Sequence, residues 1–434
     1  MAETNDEGPA DLIERVREEP GSATEEDLDR LVGLIADLDP TEMAGPDPYL
    51  ELSNALMAAV GEDPDRIDRV LEDVEEYLES PDPEVRADAA QVALDFAQHH
   101  PRRTAATLLG ALAARFDDDS IGARNTSVRA VGRLVQSTPE VLTPDLVERL
   151  PALFEAEIPE IRLIGTMMAS EAAEQYPDLV AGMVPALAER IVVEDPGDEA
   201  EIGAGGSHGR SGRPIEQRRT EGAREGAMEI RQIAARSAEA IVALAGEEPG
   251  AVAEHAPEVV EALEAEDAAD PYVRNQLLDA LGAVARSHPE SVVAGVDALV
   301  EELVSADEAE TAGRAAWALG FVAEGEERTV ADAVEPAVPA VIGLLDADNA
   351  RVRGAAASLL MYVGEHHPDA VEPAAEPVRA LLSDDQPFVR GSAAWVLGLV
   401  GDEGDRDRLS ELAEEDPDAE VRRTAGRALE SLGE

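Results

Sequence analysis

The chain contains no lysine and no cysteine. Without cysteine there are no disulfides, no thiolate metal sites and no cysteine nucleophile. Aromatic residues make up only 3% of the 434 residues, so the core must be built from small aliphatic side chains. No apolar run approaches ~18 residues, the length a membrane-spanning helix needs, and the segment "MAETNDEGPADLIER" lacks the basic and apolar regions of a signal peptide. A cytoplasmic protein without a membrane partner is expected. Positive charge is scarce: all 35 basic residues are arginine, against 94 Asp and Glu, for a formal net charge of −59. The carboxylates are spread along the whole chain. Their mutual repulsion opposes a compact state in dilute salt, and at molar salt a Debye length of ~3 Å removes most of it. The composition is similar to that of proteins from salt-accumulating organisms.

What the chain has in plenty is a repeated pattern, (D/P)-x-x-V-R-x-x-A-A-x-x-x-L-G. It is read in "PDPEVRADAAQVALDF", "NTSVRAVGRLVQS", "PEIRLIGTMMAS", "MEIRQIAARSAEAI", "PYVRNQLLDALGAV", "ARVRGAAASLLMYV", "PFVRGSAAWVLGLV" and "AEVRRTAGRALESL". A degenerate copy, "ETAGRAAWALGFV", places Ala312 where the arginine should be. With Arg86, Arg129, Arg162, Arg231, Arg274, Arg353, Arg390 and Arg422 as references, one interval stands out at 69 residues, between Arg162 and Arg231. Small residues follow the arginine and aliphatics come a turn later, which is helical spacing. Each unit also carries a second apolar segment that opens near proline, as helices often do. A period of this length marks a stack of helix hairpins.

These Val-Arg helices resemble the HEAT-repeat family, including its bilin-lyase-like branch, over about residues 45–434. The resemblance implies an all-α fold, a right-handed α-α solenoid of nine to ten helix-hairpin repeats. Residues 1–44 then supply an acidic segment and a helical cap, and 195–226 form a Gly/Arg-rich insertion loop within one repeat. The resemblance also implies a ladder of turn acids and arginines joining neighbouring repeats: Asp82 with Arg86, Asp348 with Arg353, Asp385 with Arg390 and Asp418 with Arg422. Arg162, Arg231 and Arg274 occupy the same reference position, with looser pairing around Arg129 and none at Ala312.

The position five residues after each reference arginine varies while its neighbours stay small or aliphatic. Gln91, Leu134, Met167, Arg236, Asp279, Trp317, Ser358, Trp395 and Arg427 occupy it, and this row is expected to face outward. It holds both tryptophans, a favoured residue at interface hot spots, so Trp317 and Trp395, with Arg236 and Asp279, are candidate partner-binding residues. The inserted stretch "GAGGSHGRSGRPIEQRRTEGAR" adds Arg210, Arg213, Arg218, Arg219 and Arg224, which suit either the acidic surface of the chain itself or an anionic partner such as nucleic acid. It is no phosphate loop, because Walker A needs a lysine and the glycine spacing fails.

No catalytic residue, metal site or cofactor emerges. His100, His288 and His367 each fall fourteen residues after a reference arginine and directly before proline, where a histidine suits a helix C-terminus. The expected function is a non-catalytic, monomeric scaffold that binds a protein along the concave face. A nucleic-acid scaffold using the arginine-rich insertion, or a lyase- or glycosylase-like enzyme, is the alternative.

Overall fold

The computed structural model describes residues 8–37, 48–61, 63–192, 215–265 and 270–432, with the backbone alone for 215–227. Among these residues the regular structure is helical and contains no strand. The chain falls into two compact units, Met1–Glu171 and Ala172–Glu434. Both are made of helices packed repeat upon repeat, so the fold is an all-α solenoid.

The first unit begins with α1 (Pro9–Glu18) and α2 (Glu25–Asp37), which cover α3 (Pro48–Val60). Then come α4 (Pro64–Leu78), α5 (Pro83–His99), α6 (Pro101–Ala113) and α7 (Ile121–Ser137); α5 packs against α7, and α4 against α6. Helix α8 (Pro159–Gln175) runs across the boundary between the units. In the second unit α9 (Ile215–Glu247), α11 (Pro271–Ser287), α13 (Ala309–Val334), α14 (Ala350–His366), α16 (Pro387–Val400) and α18 (Ala419–Ser431) are Val-Arg helices, each packed on the next. Their partners include α10 (Ala256–Glu264), α12 (Val296–Ser305), α15 (Ala375–Leu381) and α17 (Arg406–Glu415).

The start of each Val-Arg helix follows from local chemistry. Asp82, Asp270 and Asp418 cap α5, α11 and α18 by accepting a backbone N–H two residues on, Asn349 does the same for α14, and Ser120 accepts from Ala123 at α7. Such a cap is worth about 1 kcal/mol. The end is equally regular. His100 (φ −130°, ψ 53°), His288 (−137°, 61°) and His367 (−132°, 62°) break the helix in one conformation, directly before proline. Proline disfavours α geometry in the residue before it. Glu326 in α13 takes the same conformation (−129°, 47°) without any proline behind it, so two helices run on as one kinked rod.

These signals correct the sequence register at two places. Measured from the caps, the residue matching Arg86 is Arg124 in α7, not Arg129: Ser120 is the cap and Pro139 lies fifteen residues beyond Arg124. The intervals from Arg86 to Arg124 and on to Arg162 are then both 38 residues. In α9 the break at Glu248 before Pro249 puts Ala234, only 3% exposed, at the reference position. Arg231 is exposed in mid-helix, with no turn beside it to hold. The insertion loop expected over 195–226 is shorter, because residues 215–226 already belong to α9; 195–214 lie outside the described residues.

Candidate interaction surface

The reference arginines form a ladder, but with acids other than the expected ones. Arg390 sends one guanidinium nitrogen to the carbonyls of Asp384 (2.7 Å) and Asp385 (3.3 Å) in its own turn. Its other edge grips the Asp416 carboxylate of the following turn at 2.7 and 2.9 Å. Arg353 holds the carbonyls of Ala347 and Asp348 and reaches Asp384 at 2.7 Å. Arg86 holds the carbonyls of Ser80 and Pro81 and grips Asp118 at 2.8 Å through two bonds. Arg124 takes the Asp118 carbonyl, Arg162 those of Ala156 and Glu157, and Arg422 those of Asp416 and Pro417. Arg274 pairs with Glu302.

The expected acids do other things. Asp82 and Asp418 are helix caps, while Asp348 and Asp385 lend backbone carbonyls. The carboxylates that bridge repeats, Asp118, Asp384 and Asp416, stand six residues before an arginine, where the turn aims them back at the preceding Val-Arg helix. The Arg390 hydrogen bonds outweigh burial and hold Asp416 below the usual carboxylate range. Burial pushes Asp118 up, but Arg86 and the Ser120 amide overcome it, and the net shift is downward.

With the register corrected, the outward row reads Gln91, Arg129, Met167, Glu239, Asp279, Trp317, Ser358, Trp395 and Arg427. Each is half-buried or exposed. Leu134, expected in the row, is fully buried. Arg236 stands three residues before Glu239 and pairs with it at 2.6 Å. Arg129, now in the row, binds Glu160 at 2.6 Å.

Three row members come together in the second unit. Asp279, Trp317 and Ser358 line a groove of about 580 Å³. Three helices give it one stripe each at helical spacing: Asp279 and Arg286 from α11, Glu310 through Glu324 from α13, and Arg351 through Tyr362 from α14. Phe388 closes it from α16, 49% exposed and lying across Gly354, where a Cβ would strike its ring. Trp317 lies over Gly282 in the same way, a Cβ there meeting its ring at 2.6 Å. The rings of Trp317 and Phe321 meet edge to face at 4.6 Å. Arg286 covers both, at 5.4 and 5.3 Å from their centroids, a cation–π arrangement. Arg314 is bound to Asp279 and lies 3.6 Å from Glu310.

Trp395 does not join this groove. Its indole N–H donates to Glu365 at 3.0 Å. Glu365 belongs to a set at the end of α14 in which His366 meets Glu327 at 2.9 Å and His367 meets Asp332 at 2.8 Å. Burial, partly offset by the indole, pushes the Glu365 carboxyl up. Both histidines therefore pair with acids of α13 at the helix ends. Arg210 and Arg213 lie outside the described residues. Arg218, Arg219 and Arg224 are in α9, on a stretch whose side chains are not described. Phe321, Tyr362 and Phe388 were not singled out by the sequence. A signal for Phe388 was present, since "PFVR" and "PYVR" both put an aromatic ring just before a Val-Arg pair.

The description of HEAT repeats fits residues 338–430, and that of a HEAT-like repeat fits 314–360. Residues 314–430 carry HEAT repeats. The matched HEAT stretches include α14, α16 and α18, the helices in which the Arg–Asp ladder is continuous. No curated protein matches the chain. Among solved structures, the crystal structure of an engineered protein from a structural genomics consortium is similar at 19% identity, with a TM-score of 0.34, over 66% of this chain and 96% of that one. Among the described residues no helix is long and apolar enough to cross a membrane, and no group of three or more metal-ligating side chains converges.

Proposed function

We propose that this HEAT-repeat chain is a non-catalytic scaffold that captures a protein partner on the outward row of its Val-Arg helices, with the groove around Trp317 as the anchor point. One observation carries the reading. The chain has only twelve aromatic residues, and four of them, Trp317, Phe321, Tyr362 and Phe388, line this groove together with Arg286, Arg314 and Arg351. Tryptophan, tyrosine and arginine are the residues that dominate interface energetics, and the helices and glycines beneath them hold the rings in place before a partner arrives. Repeats contribute a long surface of this kind because each unit contacts mainly its neighbours. The same groove holds as many carboxylates (Asp279, Glu310, Glu324) as arginines (Arg286, Arg314, Arg351), so it lacks the excess of positive charge that a continuous nucleic-acid backbone requires.

The test is capture of a crosslinked partner by the full chain in molar salt. Trp317→Ala should weaken capture by about tenfold or more, a hot-spot loss of ~1.4 kcal/mol or above, with the helical circular dichroism unchanged. Undiminished capture by a folded Trp317→Ala variant overturns the reading.

A further inference from the structure

We propose that the groove around Trp317 recognises a peptide segment in which a bulky apolar side chain is flanked by carboxylates. This rests on the protein-binding reading above and adds the chemistry of the partner. The argument comes from which charges in the groove are already satisfied. Of its three arginines, Arg314 is committed to Asp279 and Glu310. Arg286 and Arg351 are exposed and stand on opposite walls, one at the end of α11 and the other in the first turn of α14.

Arg286 is fixed in place by the rings of Trp317 and Phe321. Among the described residues its guanidinium has no carboxylate partner, and its planar fork of N–H donors matches one. Arg351, exposed in the first turn of α14, lines the groove with Val352 and Phe388. Helix α13 packs between α11 and α14, so its apolar lining residues Ala316 and Trp317 separate the helices that carry the two arginines. The layout is therefore positive, apolar, positive. A basic segment would meet two guanidinium groups and would have to displace Arg314 from its acids. An uncharged apolar segment would bury both cations without a counter-charge, which is costly.

The remaining acid, Glu324, stands just before the kink of α13 beside Tyr362, where burial and the Glu324 charge push the phenol up. The net charge of −59 repels an acidic peptide at a distance, but molar salt reduces that reach to ~3 Å while contacts at hydrogen-bond distance persist. Charge complementarity thus acts here on register and selectivity rather than on attraction from afar.

The experiment uses the full chain in molar KCl and fluorescein-labelled nonapeptides with a Leu-Phe-Leu core. The core is flanked on both sides by glutamate, by glutamine or by arginine, with an oligothymidine as a fourth probe and anisotropy as the readout. The glutamate peptide should bind about tenfold more tightly than the glutamine one, and the arginine peptide more weakly than either. Arg351→Gln should remove the preference of glutamate over glutamine while leaving residual binding of the apolar core. This residue is exposed and outside the ladder, and thermal unfolding by circular dichroism will show whether the variant stays folded. Equal affinity for the three peptides overturns the proposal, as does preference for the arginine peptide, stronger binding of the oligothymidine, or an unchanged preference in folded Arg351→Gln. If no peptide binds while Trp317→Ala still loses the crosslinked partner, this inference falls and the protein-binding reading stands.

Discussion

At the scale of single residues, the ladder separates two kinds of aspartate that look alike in sequence. In "EEDPDAEVR" Asp416 and Asp418 are two residues apart, yet Asp416 is buried against Arg390 and Asp418 is a half-buried cap. Removing one partner from a buried charge pair costs about 3–5 kcal/mol because the other charge is stranded, whereas losing a cap costs about 1 kcal/mol. Asp416→Ala should therefore destabilise the protein roughly three times as much as Asp418→Ala, read from urea unfolding midpoints at constant slope. Equal effects would mean that Arg390 finds another partner. The sequence made the arginines legible because Val-Arg recurs with small residues after it. It did not separate the acids, because that distinction depends on where a carboxylate points across a turn.

At the scale of helices, tight packing leaves glycine where two repeats touch backbone to backbone. A Cβ on Gly398 in α16 would lie 2.7 Å from the Ala428 Cα of α18. Backbone cannot swing aside as a side chain can, and overpacking of this kind costs about 1–3 kcal/mol. Gly398→Ala should lower the thermal midpoint, whereas Gly426→Ala, with open space around it, should raise it slightly through helix propensity. Differential scanning calorimetry distinguishes the two. Helix boundaries were more legible than the motif itself. A Val-Arg pair at Val128–Arg129 imitates the motif five residues late, and Arg231 imitates it three residues early. The prolines directly after these two helices, Pro139 and Pro249, would have exposed both. The groove was only half legible: Asp279, Trp317 and Ser358 share a row within the repeat pattern, but Phe321, Tyr362 and Phe388 join them only through packing between repeats.

At the scale of the whole molecule, 94 acidic residues against 35 arginines set the conditions under which any of these contacts form. Most of the excess carboxylates have no cation to meet. The described ion pairs at the surface, such as Arg103 with Asp68, are individually worth at most ~1 kcal/mol. Screening of the repulsion should therefore exceed the loss of these pairs, and the thermal midpoint should rise steadily from 0.1 to ~2 M KCl. A midpoint that falls with salt would show that the pairs, rather than the repulsion, dominate.

The ladder also has a mechanical side. Asp384 and Asp416 each give a carboxylate to one arginine and a carbonyl to the next, so Arg353, Asp384, Arg390, Asp416 and Arg422 are linked in series. A tensile load along such a series is shared rung by rung and yields at a gap. Gaps stand at Ala234 and Ala312, which have no guanidinium to clamp their own turn or the one that follows. Helix α13, which carries Ala312, also contributes Trp317 and Phe321, so the groove lies at a joint that no rung of the ladder clamps and that helix packing holds instead.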